Sequence, residues 1–379
     1  MNIFSLFTLC GGLAFFLYGM TVMSKSLEKM AGGKLERLLK RMTSNPIKSL
    51  LLGAGITIAI QSSSAMTVML VGLVNSGVME LRQTIGVIMG SNIGTTLTAW
   101  LLSLTGIESD SFFVNLLKPK NFSPLLALAG ILLIMGSKKQ RRRDVGRVMM
   151  GFSILMYGME LMSGAVAPLA DMPGFSGLMT AFTNPFLGVL VGAAFTGIIQ
   201  SSAASVGILQ ALAMQGLMPL YFASFLICGI NIGSAMPTIL ASMNARNNAK
   251  RASMIYLINN LVGAVIMTVV TLALPYTQWV ESFVPDPMFQ VSVVHIIFKV
   301  VSAAVLLPLT NQVVKLTYLL VPKQRHEDAC RLEYIDVNLV GNPSVSLLQI
   351  RSEVDRMAKL VEENLSLAME GILAGEPRH

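Results

Sequence analysis

Two short runs of uncharged polar residues, each set inside an apolar stretch, are the places in this chain where side chains could do chemistry. Gln61-Ser62-Ser63-Ser64-Ala65 is the first, and Gln200-Ser201-Ser202-Ala203-Ala204 follows 139 positions later. Downstream of each lies a second run at the same offset, Gly90-Ser91-Asn92-Ile93-Gly94-Thr95-Thr96 and then Gly229-Ile230-Asn231-Ile232-Gly233-Ser234. Hydroxyls donate and accept, amide carbonyls accept, and none of these groups is charged. Such groups hold a ligand rather than cut a bond. No nucleophile, base and orienting residue are grouped at a matching spacing, so an enzyme is not indicated.

The offset is not confined to the motifs. Tyr18-Gly19-Met20 recurs as Tyr157-Gly158-Met159, and Asn45-Pro46 as Asn184-Pro185, without a gap. A register kept this far means an internal duplication.

The elements that carry the motifs follow from composition. The chain is 53% hydrophobic and 13% charged, against roughly 25% charged in soluble domains, and its mean hydropathy is +0.66. This describes an all-α polytopic protein dissolved in membrane lipid. The net charge of +8 sits in loops between apolar segments. It reads as the positive-inside bias of a plasma-membrane protein, inner membrane in a bacterium, and not as a nucleic-acid surface. Cys10, Cys228 and Cys330 make neither a disulfide framework nor a metal site. The 26 methionines read as core and lipid-facing filler rather than a metal pathway.

Residues 47–75 and 185–216 each place a Gln-Ser-Ser motif near the middle. Arms of a dozen residues, at ~1.5 Å per residue, reach only to about the bilayer midplane. Each stretch is expected to be a re-entrant hairpin with the motif at its tip; a single spanning helix with a serine patch is the alternative. Residues 81–104 and 221–243 are expected to be helices unwound at the glycine-bracketed asparagine, turning oxygens inward. Close helix packing through small residues is the alternative there.

The resulting division is repeat one over 1–136, repeat two over 147–275, a final transmembrane helix within 276–321, running from about 291 to 321, and a cytoplasmic tail over 322–379. That gives seven crossings and two hairpins, with the first helix retained rather than cleaved as a signal. Three crossings separate the starts of the repeats, so the second copy should be inverted. The charges agree. Lys25, Lys29, Lys34, Arg37, Lys40, Arg41 and Lys48 suggest an amphipathic cytoplasmic helix, whereas no Lys or Arg stands between Arg147 and Arg246.

Two QSSS-type motifs, each followed about thirty residues later by a GxNIGT-type motif within a membrane duplication, resemble the sodium-phosphate cotransporter family, the type II Na/Pi proteins and their bacterial relatives. The likeness runs from about residue 5 to 320. It implies inorganic phosphate as substrate, Na⁺ as coupling ion with no other metal or cofactor, and alternating access. Ser62, Ser63, Ser64, Ser201 and Ser202 are then expected to bind phosphate, helped by the hairpins' helix N-termini, since neither tip carries a cation. Gln61, Asn92, Thr95, Thr96, Gln200, Asn231 and Ser234 are expected to offer oxygens to sodium, whose charge would in turn hold the anion. The second copy departs from the pattern. Ala203 replaces a serine and Pro237 stands where Thr98 stands, which puts the second sodium site and the ion stoichiometry in question.

The remaining helices should form a scaffold and a homodimer contact. Arg82 reads as an interfacial snorkelling residue. His295 and Lys299 share a face near the outer end of the last helix and read as structural rather than functional. The tail repeats apolar positions at helical spacing over 345–373, and Glu353-Val354-Asp355-Arg356-Met357 resembles the start of a PhoU-like domain. Its apolar stripe calls for a partner or for more of the same helical domain. Another oxyanion, an ion pore, or a phosphate sensor acting through the tail would use the same architecture.

Overall fold

A computed structural model of the chain describes residues 3–31, 39, 45–75, 79–106, 119–169, 184–243, 245, 247–322, 334–335 and 343–374. Among the described residues all regular structure is helical. Repeat one contributes α1 (Ile3–Ala31), α2 (Pro46–Ile60), α3 (Ser63–Asn75), α4 (Leu81–Ser103) and α5 (Pro119–Gly136). Repeat two contributes α6 (Gln140–Val166), α7 (Pro185–Ile199), α8 (Ser202–Met214), α9 (Leu220–Gly233), α10 (Met236–Ser242) and α11 (Asn247–Ala273). Then follow α12 (Tyr276–Phe283), α13 (Pro287–Leu306), α14 (Thr310–Leu320) and α15 (Pro343–Ala374). Adding 139 to the bounds of α2 and α3 gives the bounds of α7 and α8.

The duplicated asparagine and proline explain where those helices begin. Asn45 Oδ1 accepts from the Ile47 amide at 2.9 Å and Asn184 Oδ1 from the Phe186 amide at 3.0 Å. The proline that follows each needs no amide partner and has φ preset for the first turn.

α1 and α6, the first helices of the two repeats, make the most extensive helix contact among the described residues. A Cβ on Gly12 would lie 2.9 Å from the Gly158 carbonyl oxygen, and one on Gly19 2.5 Å from that of Gly151. Rising numbers on α1 meet falling numbers on α6, so the two helices are antiparallel. Gly12 and Gly151 are equivalent by the offset, as are Gly19 and Gly158. The crossing is therefore a pseudo-two-fold contact of a residue pair with its own duplicate.

Inside each repeat the same close packing joins the first hairpin arm to the helix that follows the hairpin. A Cβ on Gly90 would collide with the Leu50 carbonyl, and one on its counterpart Gly229 with the Val189 carbonyl. Gly94 meets Ala54 and Gly233 meets Ala193 in the same way. Without a hydrophobic drive between helices in lipid, such backbone approach is what holds them together. Leu132, Phe186, Ile198 and Val265 are exposed on the outside of the helices.

Three sequence expectations change. α4 runs unbroken through Gly90–Thr96. Its glycines serve packing against α2, and no residue in it lacks the amide a helix needs. The repeat-two helix is interrupted, but at Ser234-Ala235, the end of the motif, rather than at its asparagine. Pro237 has no N–H and its ring would clash with the carbonyl four residues earlier, that of Gly233. The last helix divides into α13 and α14 around Pro308. Among the described residues six helices are long and apolar enough to cross a membrane, and Asn121–Gly136, the part of α5 in the remaining expected crossing, is one of the shorter apolar helices. Residues 32–38 and 40–44, most of the expected amphipathic helix, lie outside the described residues.

α13 sits between the repeats. Ser292 Oγ lies 2.7 Å from Ser103 Oγ of α4 and accepts from Gln210 Nε2 of α8 at 3.0 Å. Gln210 also donates to the Ala99 carbonyl at 3.0 Å.

Candidate functional site

Each hairpin turns at its glutamine. Gln61 has φ 54° and ψ 30°, and Gln200 φ 59° and ψ 20°; among the described residues they are the only non-glycine positions with positive φ. L-residues other than glycine and asparagine rarely adopt this left-handed geometry. Its recurrence at both motifs marks a place where the surroundings enforce it. The Gln61 and Gln200 amides close the first arms by donating to the Thr57 and Thr196 carbonyls, each at 2.7 Å.

The second arm then starts at once. Ser62 Oγ accepts from the Ala65 amide at 3.1 Å, and Ser201 Oγ from the Ala204 amide at 3.2 Å, so both serines are N-caps. One of the orphan amides of each first turn is taken up in this way, and the others are free for a ligand.

Both turns open into one cavity of about 250 Å³. Gln61, Ser62, Ser63, Ser64 and Thr95 of repeat one line it with Gln200, Ser201 and Ser202 of repeat two. Eight of the twelve site residues expected from sequence thus meet in a single space. It is smaller than the ~300–1,000 Å³ typical of drug-sized ligands and suits small ions. Two helix N-termini, α3 and α8, each equivalent to about +0.5 charge, begin at its wall.

The other four lie deeper. Thr96, 3% exposed, donates from Oγ1 to the Ile93 carbonyl at 2.7 Å, leaving its oxygen lone pairs. Ser234 Oγ donates to the Asn231 carbonyl at 2.6 Å and lies 3.2 Å from the Tyr256 hydroxyl. Asn231 Nδ2 donates to the Ile227 carbonyl at 2.8 Å, while its Oδ1 is buried without a partner. A buried acceptor left bare is costly unless something fills it, and a hard cation such as Na⁺ fits a bare amide oxygen. Asn92 Oδ1, the equivalent atom in repeat one, already accepts from Lys299 Nζ at 3.0 Å.

The site contains groups that sequence reasoning missed. Met20, Thr21, Ser24, Lys25 and Glu28 of α1 also line the cavity, so a cation does face it. Ser24 Oγ lies 3.0 Å from both the Ile60 and the Gln61 carbonyl oxygens, capping the open end of α2. The signal was present: Thr21, Ser24, Lys25 and Glu28 recur at three- and four-residue spacing, one face of a helix. Lys299 is also not at the outer end. It is 3% exposed in the body of α13.

The family model for the Na⁺/Pi-cotransporter matches residues 15–164 and 154–284. YqeW of Bacillus subtilis is 30% identical over 82% of this chain and 96% of its own length. YjbB of Escherichia coli, named for inorganic phosphate export, is 25% identical over 99% of this chain, which spans 66% of that protein. The sodium-dependent phosphate transport protein 2A of Rattus norvegicus is 37% identical over 25% of this chain and 15% of its own. No solved structure gives a significant match. The two matched stretches each contain one Gln-Ser-Ser turn and one Asn-Ile-Gly run, so the duplication that builds the cavity is the family's own, and the chain belongs to the Na⁺/Pi-cotransporter family.

Proposed function

We propose that the chain couples Na⁺ to the movement of inorganic phosphate across the membrane by alternating access. The observation that carries this reading is the single small cavity shared by two left-handed glutamines and two capped helix N-termini. Phosphate, with roughly −1.5 to −2 charges at pH 7, takes the hydroxyls of Ser62, Ser63, Ser64, Ser201 and Ser202 and the free amides of α3 and α8, and the charge of Lys25 at the cavity wall attracts it from a distance. Sodium takes oxygens from Gln61, Thr95 and Thr96 in repeat one and from Gln200, Asn231 and Ser234 in repeat two. The bound cation lowers the electrostatic cost of the anion, and by linkage the anion raises sodium affinity equally.

The two hairpins are read as re-entrant, because arms of 15 and 13 residues at ~1.5 Å per residue are too short to span. The antiparallel contact of α1 with α6 supports an inverted arrangement of the repeats 1–136 and 147–275. With the basic loops inside, the tail from 322 is cytoplasmic. The rat relative's name specifies sodium dependence and the E. coli relative's name export; the direction of net movement follows the imposed gradient.

The test is uptake of radiolabelled phosphate into proteoliposomes under an inward Na⁺ gradient, against matched K⁺ vesicles and the double variant Gln61→Ala, Gln200→Ala. Sodium-driven uptake that the double variant loses supports the proposal. Uptake equal in Na⁺ and K⁺ by folded protein removes sodium coupling.

A second reading has one observation in its favour: α15 leaves Leu347, Val354 and Val361 exposed, a stripe suited to a soluble partner or to a PhoU-like domain. A sensor acting through this helix loses its function when residues after Pro322 are deleted, whereas phosphate uptake persists.

A further inference from the structure

The two asparagines of the duplicated motif have different fates. Asn231 Oδ1 is buried and bare. Asn92 Oδ1 accepts from Lys299 Nζ at 3.0 Å, and the same ammonium donates to Asn260 Oδ1 at 3.2 Å. Lys299 is 3% exposed, Asn92 2% and Asn260 0%. An ammonium in a lipid-embedded bundle is expensive unless paired. Among the described residues no carboxylate pairs it. α4, α8, α9, α11 and α13, which surround it, contain no Asp or Glu at all, and the Glu281 of the adjoining α12 is exposed.

The nearby ionisable groups are His295, one turn earlier, whose ring nitrogens are both buried without a hydrogen-bond partner, and Tyr256. The Tyr256 hydroxyl reaches Asn260, Ser234 and Ser63. Ser63 lines the cavity. A charge at Nζ therefore lies two polar side chains from the phosphate-binding turn, and its ligands are neutral amide oxygens, the ligand type a hard cation takes.

We propose that the Lys299 ammonium is a tethered cation filling the ion position between Asn92 and Asn260, so that repeat one holds the protein's own charge where repeat two offers Asn231 to a transported sodium. Asn92 is then not a sodium ligand in this chain, and one coupling ion is replaced by a side chain that never dissociates. The fixed charge also helps hold phosphate at the first hairpin throughout the cycle. The meaning of the second site rests on the sodium-coupled reading; the tethered cation itself is decided by counting ions, which requires no transport.

The experiment measures bound ²²Na⁺ per chain at saturation on purified protein in nanodiscs at pH 7, with folding checked by thermal unfolding. Lys299→Ala, which empties the position, is expected to bind one more Na⁺ than the unaltered chain, and Lys299→Arg the same number as the unaltered chain. Asn92→Ala is expected to leave the count unchanged. A folded Lys299→Ala with no added ion overturns the proposal. So does an Asn92→Ala variant that loses one ion, and that arm decides the matter where Lys299→Ala does not fold. Failure of the transport reading is separately visible as an unaltered chain that moves no phosphate in vesicles.

Discussion

Thr98 Oγ1 donates to Gln61 Oε1 at 2.8 Å, and Gln61 Nε2 in turn donates to the Ile58 carbonyl at 2.8 Å. The glutamine of the first turn is thus held at both ends of its amide. Pro237 occupies the position equivalent to Thr98 and can donate nothing. The first turn is accordingly fixed from α4, whereas Gln200 is exposed and has no donor from that position. The two halves of the cavity are alike in backbone and unlike in how the glutamine side chain is held.

Removing that donor should loosen only the first half. A hydrogen bond of this kind contributes about 0.5–1.5 kcal/mol, so Thr98→Val is expected to raise the half-saturating sodium or phosphate concentration about 3- to 10-fold. Steady-state uptake at varied substrate checks it. An unchanged half-saturation would mean that the bond does not position Gln61 for the ligand.

Glycine placement makes a second, purely structural prediction. Gly90→Ala and Gly229→Ala each drive a Cβ into a backbone carbonyl of the facing arm, and backbone cannot rotate away as a side chain can. Overpacking of this sort costs typically about 1–3 kcal/mol, and the pseudo-symmetry predicts similar losses at both positions. Gly55→Ala meets nothing within 4 Å and should be neutral or stabilising by up to ~1 kcal/mol, the helix propensity difference. Thermal unfolding in detergent separates the two classes.

The helix–turn–helix elements α2–α3 and α7–α8 were legible because their signals are local: an Asn-Pro start and a polar turn. The duplication made α7 and α8 readable from α2 and α3. The state of α4 was not legible, since glycines four apart serve close packing as well as unwinding, and only the position of Pro237 tells which helix breaks. Nor could sequence place Lys299 beside Asn92. Those residues are 207 apart, and the final helix has no counterpart in the repeats from which its register could be inferred. Lys25 was misplaced for a related reason. Seven cations between Lys25 and Lys48 suggest a surface, and only the actual length of α1 assigns the first of them to the cavity.

The two-fold contact between α1 and α6 predicts sidedness. Asn45 and Asn184 are equivalent, exposed N-caps, and inversion puts them on opposite faces of the membrane. With Cys10, Cys228 and Cys330 replaced by serine, Asn45→Cys and Asn184→Cys should each react with an impermeant maleimide from one side only, and from opposite sides. Labelling of both from the same side would rule out inverted repeats.

Lys25 and Glu28 are one helical turn apart on the cavity wall, and they should act on the anion with opposite sign. Lys25→Gln removes an attraction and is expected to weaken apparent phosphate affinity by up to about 5-fold, the ~1 kcal/mol upper range of an exposed charge pair; Glu28→Gln removes a repulsion and should strengthen it. Because Lys25 is exposed, salt screens its share: at 1 M ionic strength the Debye length falls to about 3 Å. The Lys25→Gln effect should therefore shrink as choline chloride is raised, while the Thr98→Val effect, made by a neutral and half-buried bond, should not. Measuring both variants across that salt series distinguishes long-range attraction at the mouth from ligand contact at the turn. A Lys25→Gln loss that ignores salt would place the ammonium in direct contact with the bound phosphate instead.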